Sequence, residues 1–385
     1  MLYEDFFPSD PITAVTHPDP YPFYAGLVAQ KPFYRDDALG VWVAASAEAV
    51  TAVLTSDLCR VRPPAEPVPR ALVGSPAGEI FRHLVRMTDG PGHAPCKHAV
   101  AATLRSFGET ETAAASREWA RHLAGELRPD DSKGLAGFHF RLPVYTVASL
   151  LGIQADALPT VFLWTSDLVA ALAPASTAER IERGQAAAVS LLELFRALVP
   201  GDGNVGDGEV IVANRIGLLV QSHDATAGLI GNTLVALGRH PDTRKRVAAD
   251  PDLLPAVLLE VLRHDPPVQN TRRFVARDGD VAGQPMREGD AVLVLLAAAN
   301  RDPAANPNPE RFDPSRQERR IFTFGAGIHA CPGDTLAVAI ARAGVEQLLL
   351  AGLDPEHFAA GVTYRPSVNA RIPSGNERYP PVTSW

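Results

Sequence analysis

The chain has 385 residues, of which 46% are hydrophobic, so it can bury a sizeable core. Its net charge of −8 argues against a general nucleic-acid-binding protein, because such proteins carry an excess of basic side chains. Three irregularly spaced cysteines indicate neither a disulfide framework nor a zinc ribbon. We expect a single domain over residues 1–385, cytoplasmic and away from membranes. The N-terminus lacks a signal-peptide pattern, and the longest apolar runs are about half the length of a membrane span.

In chain order, the first predicted element is a hairpin over 33–45, where aromatic and β-branched residues flank a turn. Residues 46–57 predict a helix that is capped by Ser46. Residues 110–198 predict successive amphipathic helices that are broken at Pro or Gly. Most of the first half of the chain is therefore expected to be helical.

The second half begins with a mostly apolar helix over 209–241, too long for an ordinary surface helix and expected to cross the core. A shorter helix over 254–267 is stopped by Pro-Pro, and short strands and turns follow over 268–315. A last helix is predicted over 334–352. Together these elements predict a fold that is mainly α with small β-sheets.

The stretch 201–208, GDGNVGDG, matches the dinucleotide fingerprint G-x-G-x-x-G. The segment before it has the pattern of a helix, whereas the fingerprint requires a strand there. Its two aspartates would also repel a pyrophosphate. We therefore interpret it as an acidic linker between helices.

Cys331 lies in the stretch 322–333, FTFGAGIHACPG, which has more features than a buried structural cysteine needs. Pro332 suits the first position of a helix, whose free N–H groups and positive potential stabilise a thiolate. Gly333 can direct its N–H toward the sulfur. Gly325 and Gly327 allow a tight turn and a close approach to a flat cofactor. The stretch therefore indicates a thiolate ligand.

The ten residues 324–333, FGAGIHACPG, resemble the haem-thiolate loop F-G-x-G-x-H-x-C-x-G of the cytochrome P450 family. Glu260 and Arg263 fit the family's E-x-x-R pair on a helix, and Arg311 fits its partner arginine downstream. The resemblance runs from about residue 15 to 373 and points to the soluble, bacterial-type branch, which depends on ferredoxin.

This resemblance implies the cytochrome P450 fold, with haem b (iron protoporphyrin IX) buried between the long central helix and the cysteine loop with its following helix. Cys331 would be the axial ligand of the iron. The resemblance further implies contacts with the cofactor and its propionates for Phe324, Gly325, His329, Gly333, His93, Lys97 and Arg273. At Lys97 the family usually has an arginine. The ammonium of Lys97 therefore replaces a guanidinium that could form two parallel hydrogen bonds, and its contact should be less directional.

The long helix departs from the family at the oxygen-binding face. Where the family usually has an acid followed by threonine, this chain has Asp224 followed by Ala225. Thr226 comes one residue late and points about 100° further round the helix. Gln221 stands where the family has a small residue, and we expect its amide to touch substrate or bound oxygen.

Three reactions are compatible with Ala225. A substrate hydroxyl or an ordered water could replace the missing threonine in an ordinary hydroxylation. The enzyme could instead catalyse oxidative coupling or ring formation, or peroxide could supply the oxygen. A haem protein that binds a small molecule or gas and signals without turnover is the alternative from another class, and the retained Asp224 favours an enzyme.

The resemblance also implies a small organic substrate, free or bound to a carrier, in bacterial secondary metabolism or catabolism. Electrons would come from a ferredoxin and an NAD(P)H-dependent ferredoxin reductase. Arg319, Arg320 and Lys97 are the candidate docking cations. The segments expected to select the substrate are 60–85, 160–185, Val268, Gln269 and Asn270, and 368–370.

Overall fold

The computed structural model describes residues 7–127, 132–174, 176–199 and 205–374. The helices are α1 Tyr21–Gln30, α2 Ala47–Thr55, α3 Pro76–His83, α4 His93–Ser106, α5 Glu109–Ala124, α6 Ser132–Leu150, α7 Leu158–Leu172, α8 Ala178–Leu198, α9 Val205–Arg239, α10 Pro241–Ala249, α11 Leu254–His264, α12 Leu296–Asn300, α13 Asp334–Leu350 and α14 Pro355–Ala359. The strands are β1 Phe33–Asp36, β2 Val41–Ala44, β3 Cys59–Arg60, β4 Thr271–Val275, β5 Gly279–Val281, β6 Gln284–Met286, β7 Ala291–Val294, β8 Thr363–Tyr364 and β9 Pro373–Ser374.

The chain forms two compact units. The described residues of the first unit come from Met1–Pro64, Gly228–Asp334 and Leu348–Asn376. Those of the second unit come from Ala65–Ala227 and Thr335–Gln347.

The first unit contains a five-stranded sheet in the order β1-β2-β7-β4-β3. The predicted hairpin is confirmed, since β1 and β2 pair antiparallel with Phe33 opposite Ala44. The predicted cap of α2 is confirmed as well, because the Ser46 side chain accepts a hydrogen bond from the Ala49 N–H. Aliphatic side chains of α2, β4 and β7 form the core beside this sheet.

The second unit is a bundle of helices, as the patterns over 110–198 predict. Helix α5 packs on α6, α6 packs on α7, and α7 packs on α8, while α3 contacts α7 and α8. Buried Ala and Leu side chains on one face of each helix, such as Ala188 and Leu191 of α8, make these contacts.

The long helix is confirmed as α9, Val205–Arg239, which begins four residues earlier than predicted. Of the acidic stretch 201–208, residues 201–204 lie outside the described residues, and the rest form the first turn of α9. Helix α11 ends at His264, directly before Asp265 and two prolines, as the Pro-Pro stop predicts. The fold is mainly α with small sheets, as expected.

One stretch of the described residues, Ala155–Leu172, has the length and hydropathy of a possible membrane span, although the longest apolar runs predicted none. Its mean hydropathy of 1.2 is low, and core helices of soluble proteins meet the same criterion. Helix α7, which forms most of this stretch, packs against α8. The stretch is therefore weak support for a membrane association.

Candidate active site

The cysteine loop, residues 322–333, folds back on itself before α13. The Cys331 N–H donates to the Phe324 carbonyl at 2.8 Å. Gly325 and Gly327 have φ values of 72° and 68°, which residues with a side chain rarely adopt. A Cβ on Gly327 would also lie 3.0 Å from a carbonyl oxygen of α2. The backbone path that presents Cys331 therefore requires both glycines.

The thiol of Cys331 has the surroundings of a ligand rather than of a core residue. Cys331 is exposed, and its Sγ accepts the N–H of Gly333 at 3.4 Å. Helix α13 begins at Asp334, where the last helix was predicted to begin, while Pro332 and Gly333 form a turn, so Pro332 is not the first helical residue that we expected. The N-terminus of α13 provides positive potential near the sulfur. By contrast, burial raises the pKa of the Cys59 thiol, as for a structural cysteine.

Other predicted cofactor contacts lie in the same unit as Cys331. Phe324 and His329 are half-buried residues of the cysteine loop. Arg273 is a buried cation on β4, and its guanidinium donates to the Arg272 carbonyl at 2.8 Å. A cation and an imidazole are suitable partners for two buried propionates. Together with the exposed thiol and the two glycine turns, these residues fit a haem bound through a thiolate.

His93 and Lys97 belong to the second unit, where both lie on α4. His93 is buried at the start of the helix, and Lys97 is half-buried one turn later. The i, i+4 spacing puts the two side chains on one helix face. Both residues therefore lie on a helix, as the family pattern requires, and their contact with a propionate stays a prediction.

Helix α9 divides the candidate residues of the oxygen-binding face into two groups. Gln221, Asp224 and Ala225 share one face by their i, i+3 and i, i+4 spacing, and all three are at least partly exposed. Thr226 is 2% exposed and lies on the buried side. The shift of one residue therefore takes the threonine hydroxyl off the face that carries Asp224.

The amide of Gln221 is placed differently from our expectation. We expected a buried amide whose partner would be substrate or bound oxygen. Gln221 is instead exposed, and its Nε2 donates to the Gly217 carbonyl of its own helix at 2.9 Å. Since the helix itself provides a partner, the argument that this amide must find another one no longer holds.

The E-x-x-R pair forms a buried ion-pair network. Glu260 and Arg263 are both 0% exposed, and Arg263 donates to the two carboxylate oxygens at 2.6 and 3.1 Å. The Asp313 N–H donates to the same carboxylate at 2.9 Å. Burial alone would raise the pKa of Glu260, but the Arg263, Asp313 and Arg319 hydrogen bonds outweigh it and lower the pKa.

The arginine side chain that contacts Glu260 is that of Arg319, whereas the family pattern predicted Arg311. Nε of Arg319 donates to Glu260 at 2.9 Å, and the Arg319 side chain is 11% exposed. The Arg311 side chain is 72% exposed and lies 3.6 Å from Asp313. Arg311 contributes its carbonyl, which accepts a hydrogen bond from Arg263 at 3.0 Å.

Two of the predicted substrate-selecting segments lie side by side. Val268 forms a β-bridge with Ala370, and the Asn270 side chain donates to the Val368 carbonyl at 2.9 Å. Gln269 is 0% exposed, and its Nε2 donates to the Pro266 carbonyl at 2.7 Å. Gln269 and Asn270 therefore support this turn, while Val268 is the half-buried member of the three.

Sequence reasoning missed a series of hydrogen-bonded side chains that extends from Asp224 through His223 to Ser166. Nδ1 of His223 lies 2.7 Å from the Asp224 carboxylate, and Nε2 lies 3.0 Å from the hydroxyl of Ser166 on α7. A histidine within the mostly apolar helix α9, directly before Asp224, was a visible signal. Its pairing with a serine 57 positions away was not visible in the sequence.

Comparisons with known proteins point to one family. The family model described as "Cytochrome P450" matches residues 200–351. Cytochrome P450 monooxygenase PikC from Streptomyces venezuelae is 30% identical over 356 residues, which cover 86% of this chain and 83% of PikC. The biotin biosynthesis cytochrome P450 from Bacillus subtilis (strain 168) is 25% identical, covering 86% and 88% of the two chains. The structure of P450 RauA complexed with a biosynthetic intermediate of aurachin RE is 26% identical and has a TM-score of 0.73, covering 95% of this chain and 96% of that chain.

Proposed function

Because this chain belongs to the cytochrome P450 family, we propose that it hydroxylates a small organic substrate, either free or tethered to a carrier protein. Family members are monooxygenases that bind haem through a cysteine thiolate, and Cys331 is that cysteine here. The observation that carries the proposal is the cysteine loop, with its two positive-φ glycines and the Gly333 N–H on the sulfur. We further propose that both compact units belong to one P450 domain over residues 1–385.

When bound, the haem supplies the iron that activates dioxygen, and a thiolate ligand favours cleavage of the O–O bond. The residues of this chain hold and orient the cofactor and control protons and water. Cys331 would ligate the iron, and the loop residues Phe324, Gly325 and Gly333 would shape the surface around the ligand. Arg273 and His329 would be partners for the propionates, and His93 and Lys97 keep the propionate role that the family resemblance implies.

Proton supply in this enzyme depends on Asp224. Its carboxylate is 43% exposed, so it can exchange protons with water and pass them on. The methyl side chain of Ala225 cannot form a hydrogen bond, and the Thr226 side chain is on the buried side of α9. A hydroxyl group of the substrate, or an ordered water, would take the place of the missing threonine. The same alanine favours oxidative coupling and peroxide-driven oxidation as the second candidate reactions.

Electrons would come from a ferredoxin and its NAD(P)H-dependent reductase. Arg320 is exposed and remains a candidate docking cation, as does the half-buried Lys97. Arg319 does not, because its guanidinium is engaged with the buried Glu260. The enzyme is proposed to work in the cytoplasm, on a substrate of secondary metabolism or catabolism.

Thiolate ligation is tested by the variants Cys331→Ser and Cys96→Ser. We expect the reduced carbonyl complex of Cys331→Ser to lose the Soret band that is characteristic of thiolate ligation. Cys96→Ser, which alters a half-buried cysteine of α4, should keep it. Retention of that band in Cys331→Ser would contradict the proposal.

Hydroxylation is tested by titrating the parent protein with a diverse compound panel while the Soret band is recorded. Compounds that shift the band to the high-spin form are then incubated with ferredoxin, reductase and NAD(P)H. We expect an oxygenated product, formed best from compounds that carry a hydroxyl near the oxidised carbon. Coupled products, or turnover with peroxide alone, would select one of the second candidates.

A further inference from the structure

A short 3₁₀ turn of the second unit, Val85–Met87, lies against α9. The Asn214 side chain of α9 accepts a hydrogen bond from the Val85 N–H at 2.9 Å and donates one to the His83 carbonyl at 2.8 Å. Asn214 is 5% exposed, so these hydrogen bonds are shielded from water. They fix the backbone of the turn relative to α9.

A glycine of α9 lets the same segment approach the helix closely. A Cβ on Gly217 would lie 2.7 Å from Cδ2 of the fully buried Leu84 and 3.4 Å from Nε2 of Gln221. The side chains of Leu84 and Gln221 therefore meet over this glycine. Gln221 comes three and four residues before Asp224 and Ala225, so the segment lies one helical turn from the candidate oxygen-binding residues.

Arg86, the middle residue of the turn, carries a cation without a counter-ion. Among the residues that the structure describes, its guanidinium has no hydrogen-bond or ion-pair partner. Loss of solvation within the surrounding protein lowers the pKa of Arg86, and no carboxylate offsets this effect. The side chain nevertheless keeps accessible surface. A side chain that is surrounded by protein and is still accessible faces a recess rather than open solvent.

The charge of Arg86 costs free energy as long as the recess holds no anion, because a desolvated cation without a partner is unfavourable. The basic residues just before the turn are not in this situation. Arg82 and His83 on α3 both contact the Glu79 carboxylate, at 3.3 and 3.0 Å. Ionisable groups that are perturbed by desolvation in a recess are characteristic of ligand sites. The uncompensated guanidinium therefore points to an anionic ligand.

We propose that Arg86 binds a carboxylate of the substrate, so that this enzyme acts on organic acids. A guanidinium presents two parallel N–H groups that match the two oxygens of a carboxylate. One cation compensates one negative charge, which favours a carboxylate over a dianionic phosphate. The rest of the acid then extends along the face of α9 that carries Asp224 and Ala225. The inference rests on the proposed function and names its substrate class.

The haem propionates are the other carboxylates that Arg86 could contact. The family resemblance already implies four partners for these two groups, namely Arg273, His329, His93 and Lys97. We therefore assign Arg86 to the substrate. Haem content separates the two carboxylates experimentally, because loss of a propionate partner weakens cofactor binding and loss of a substrate partner does not.

Binding of matched acids and amides to the full-length holoprotein tests the proposal. Saturated fatty acids and arylalkanoic acids of increasing length are each compared with their primary amides by isothermal titration calorimetry. We expect at least one acid to bind at least about tenfold more tightly than its amide, as a charge-assisted pair of hydrogen bonds provides. Acids that bind no more tightly than their amides would overturn the proposal.

Variants show whether the preference for acids depends on Arg86. Arg86→Met should abolish it, and Arg86→Lys should keep part of it, because an ammonium retains the charge but not the two parallel N–H groups. Arg105→Met is the matched control and should keep the full preference, since it removes an exposed arginine in the last turn of α4. A preference for acids that persists in Arg86→Met would refute the assignment.

Haem content and thermal stability distinguish a substrate partner from other roles of this cation. Arg86→Met should keep its haem and unfold at a temperature equal to or above that of the ligand-free parent, which carries an uncompensated charge. Loss of haem would assign Arg86 to a propionate, and a lower unfolding temperature with intact haem would reveal a structural partner. Either result would overturn the proposal.

Binding and turnover separate this inference from the proposed function. If the protein hydroxylates neutral compounds and shows no preference for acids, the hydroxylation stands and the carboxylate site is refuted. If acids bind through Arg86 and no compound is converted, the carboxylate site stands and the proposed hydroxylation fails.

Discussion

At the scale of single residues, the carboxylate of Glu260 is a fully buried charge whose oxygens accept several hydrogen bonds. It is 0% exposed, and two arginines and a backbone N–H donate to its oxygens. A buried carboxylate is tolerated only when its lone pairs are satisfied in this way. Any variant that removes one donor leaves part of a buried charge uncompensated.

We expect Arg319→Gln to lower the free energy of unfolding by about 1.5–3 kcal/mol, the usual value of a hydrogen bond to a charged group. Arg311→Gln is the matched control and should change stability by less than about 1 kcal/mol, because the Arg311 side chain is exposed and contributes its carbonyl. Urea denaturation followed by circular dichroism measures both. A larger loss in Arg311→Gln would contradict the arrangement described here.

The effect of Arg319→Gln should depend on pH, since the pKa of Glu260 is lowered in the folded protein. A carboxyl whose folded pKa is depressed contributes stability that is present above its unfolded pKa of about 4.5 and is lost as pH falls through the folded pKa. The difference between parent and Arg319→Gln should therefore be largest at neutral pH and shrink below about pH 4.5. A difference that grows toward acid pH would contradict this.

At the scale of elements, α7 and α8 pack closely because of one glycine. A Cβ on Gly184 of α8 would lie 2.2 Å from Cβ of Ala171 and 2.9 Å from the Asp167 carbonyl oxygen, both on α7. Those distances are below van der Waals contact, so the helices would have to separate. The position of α7, which carries Ser166, thus depends on Gly184.

We expect Gly184→Ala to destabilise the protein by about 1–3 kcal/mol through overpacking. Gly26→Ala in α1 is the control, because a Cβ there meets no atom within 4 Å. Alanine forms helix better than glycine, so the control should be neutral or more stable by up to about 1 kcal/mol. Thermal and urea denaturation of both variants test this, and equal effects would refute the steric explanation.

At the scale of the whole molecule, Arg371 connects segments from the two ends of the chain within the first unit. Its guanidinium is fully buried, donates to Asp265 at 2.8 Å and lies over the Tyr364 ring at 3.5 Å. Burial alone would lower the pKa of Arg371, but Asp265 and nearby tyrosines outweigh it and raise the pKa. The guanidinium also donates to the carbonyls of Val15, His17 and Pro18.

We expect Arg371→Met to lower the free energy of unfolding by about 3–5 kcal/mol, because it leaves Asp265 buried without its cation. Arg277→Met is the control, since its pair with Asp57 is mostly exposed and should be worth less than about 1 kcal/mol. Urea denaturation of the two holoproteins compares them. A similar small effect in both variants would show that the buried ion pair of Arg371 contributes little to the free energy of unfolding.

Several features were predictable from the sequence because their causes are local. The hairpin of β1 and β2, the cap of α2 and the length of α9 follow from patterns within a few turns or strands. The cysteine loop is also local, since its glycines, proline and Cys331 occupy twelve consecutive positions. Residues so close in sequence have few alternative arrangements, so their types determine the geometry.

Other features were decided by tertiary structure. Whether Arg311 or Arg319 reaches Glu260 depends on how the chain folds between them, and the family pattern alone chose the wrong side chain. The approach of Ser166 to His223 and of Arg371 to Val15 joins residues 57 and 356 positions apart. The sequence determined the haem-thiolate loop and the helical elements, since short-range sterics and periodicity specify them. The partners of buried charges were decided only by packing, because many polar side chains could satisfy each charge and the fold brings one within reach.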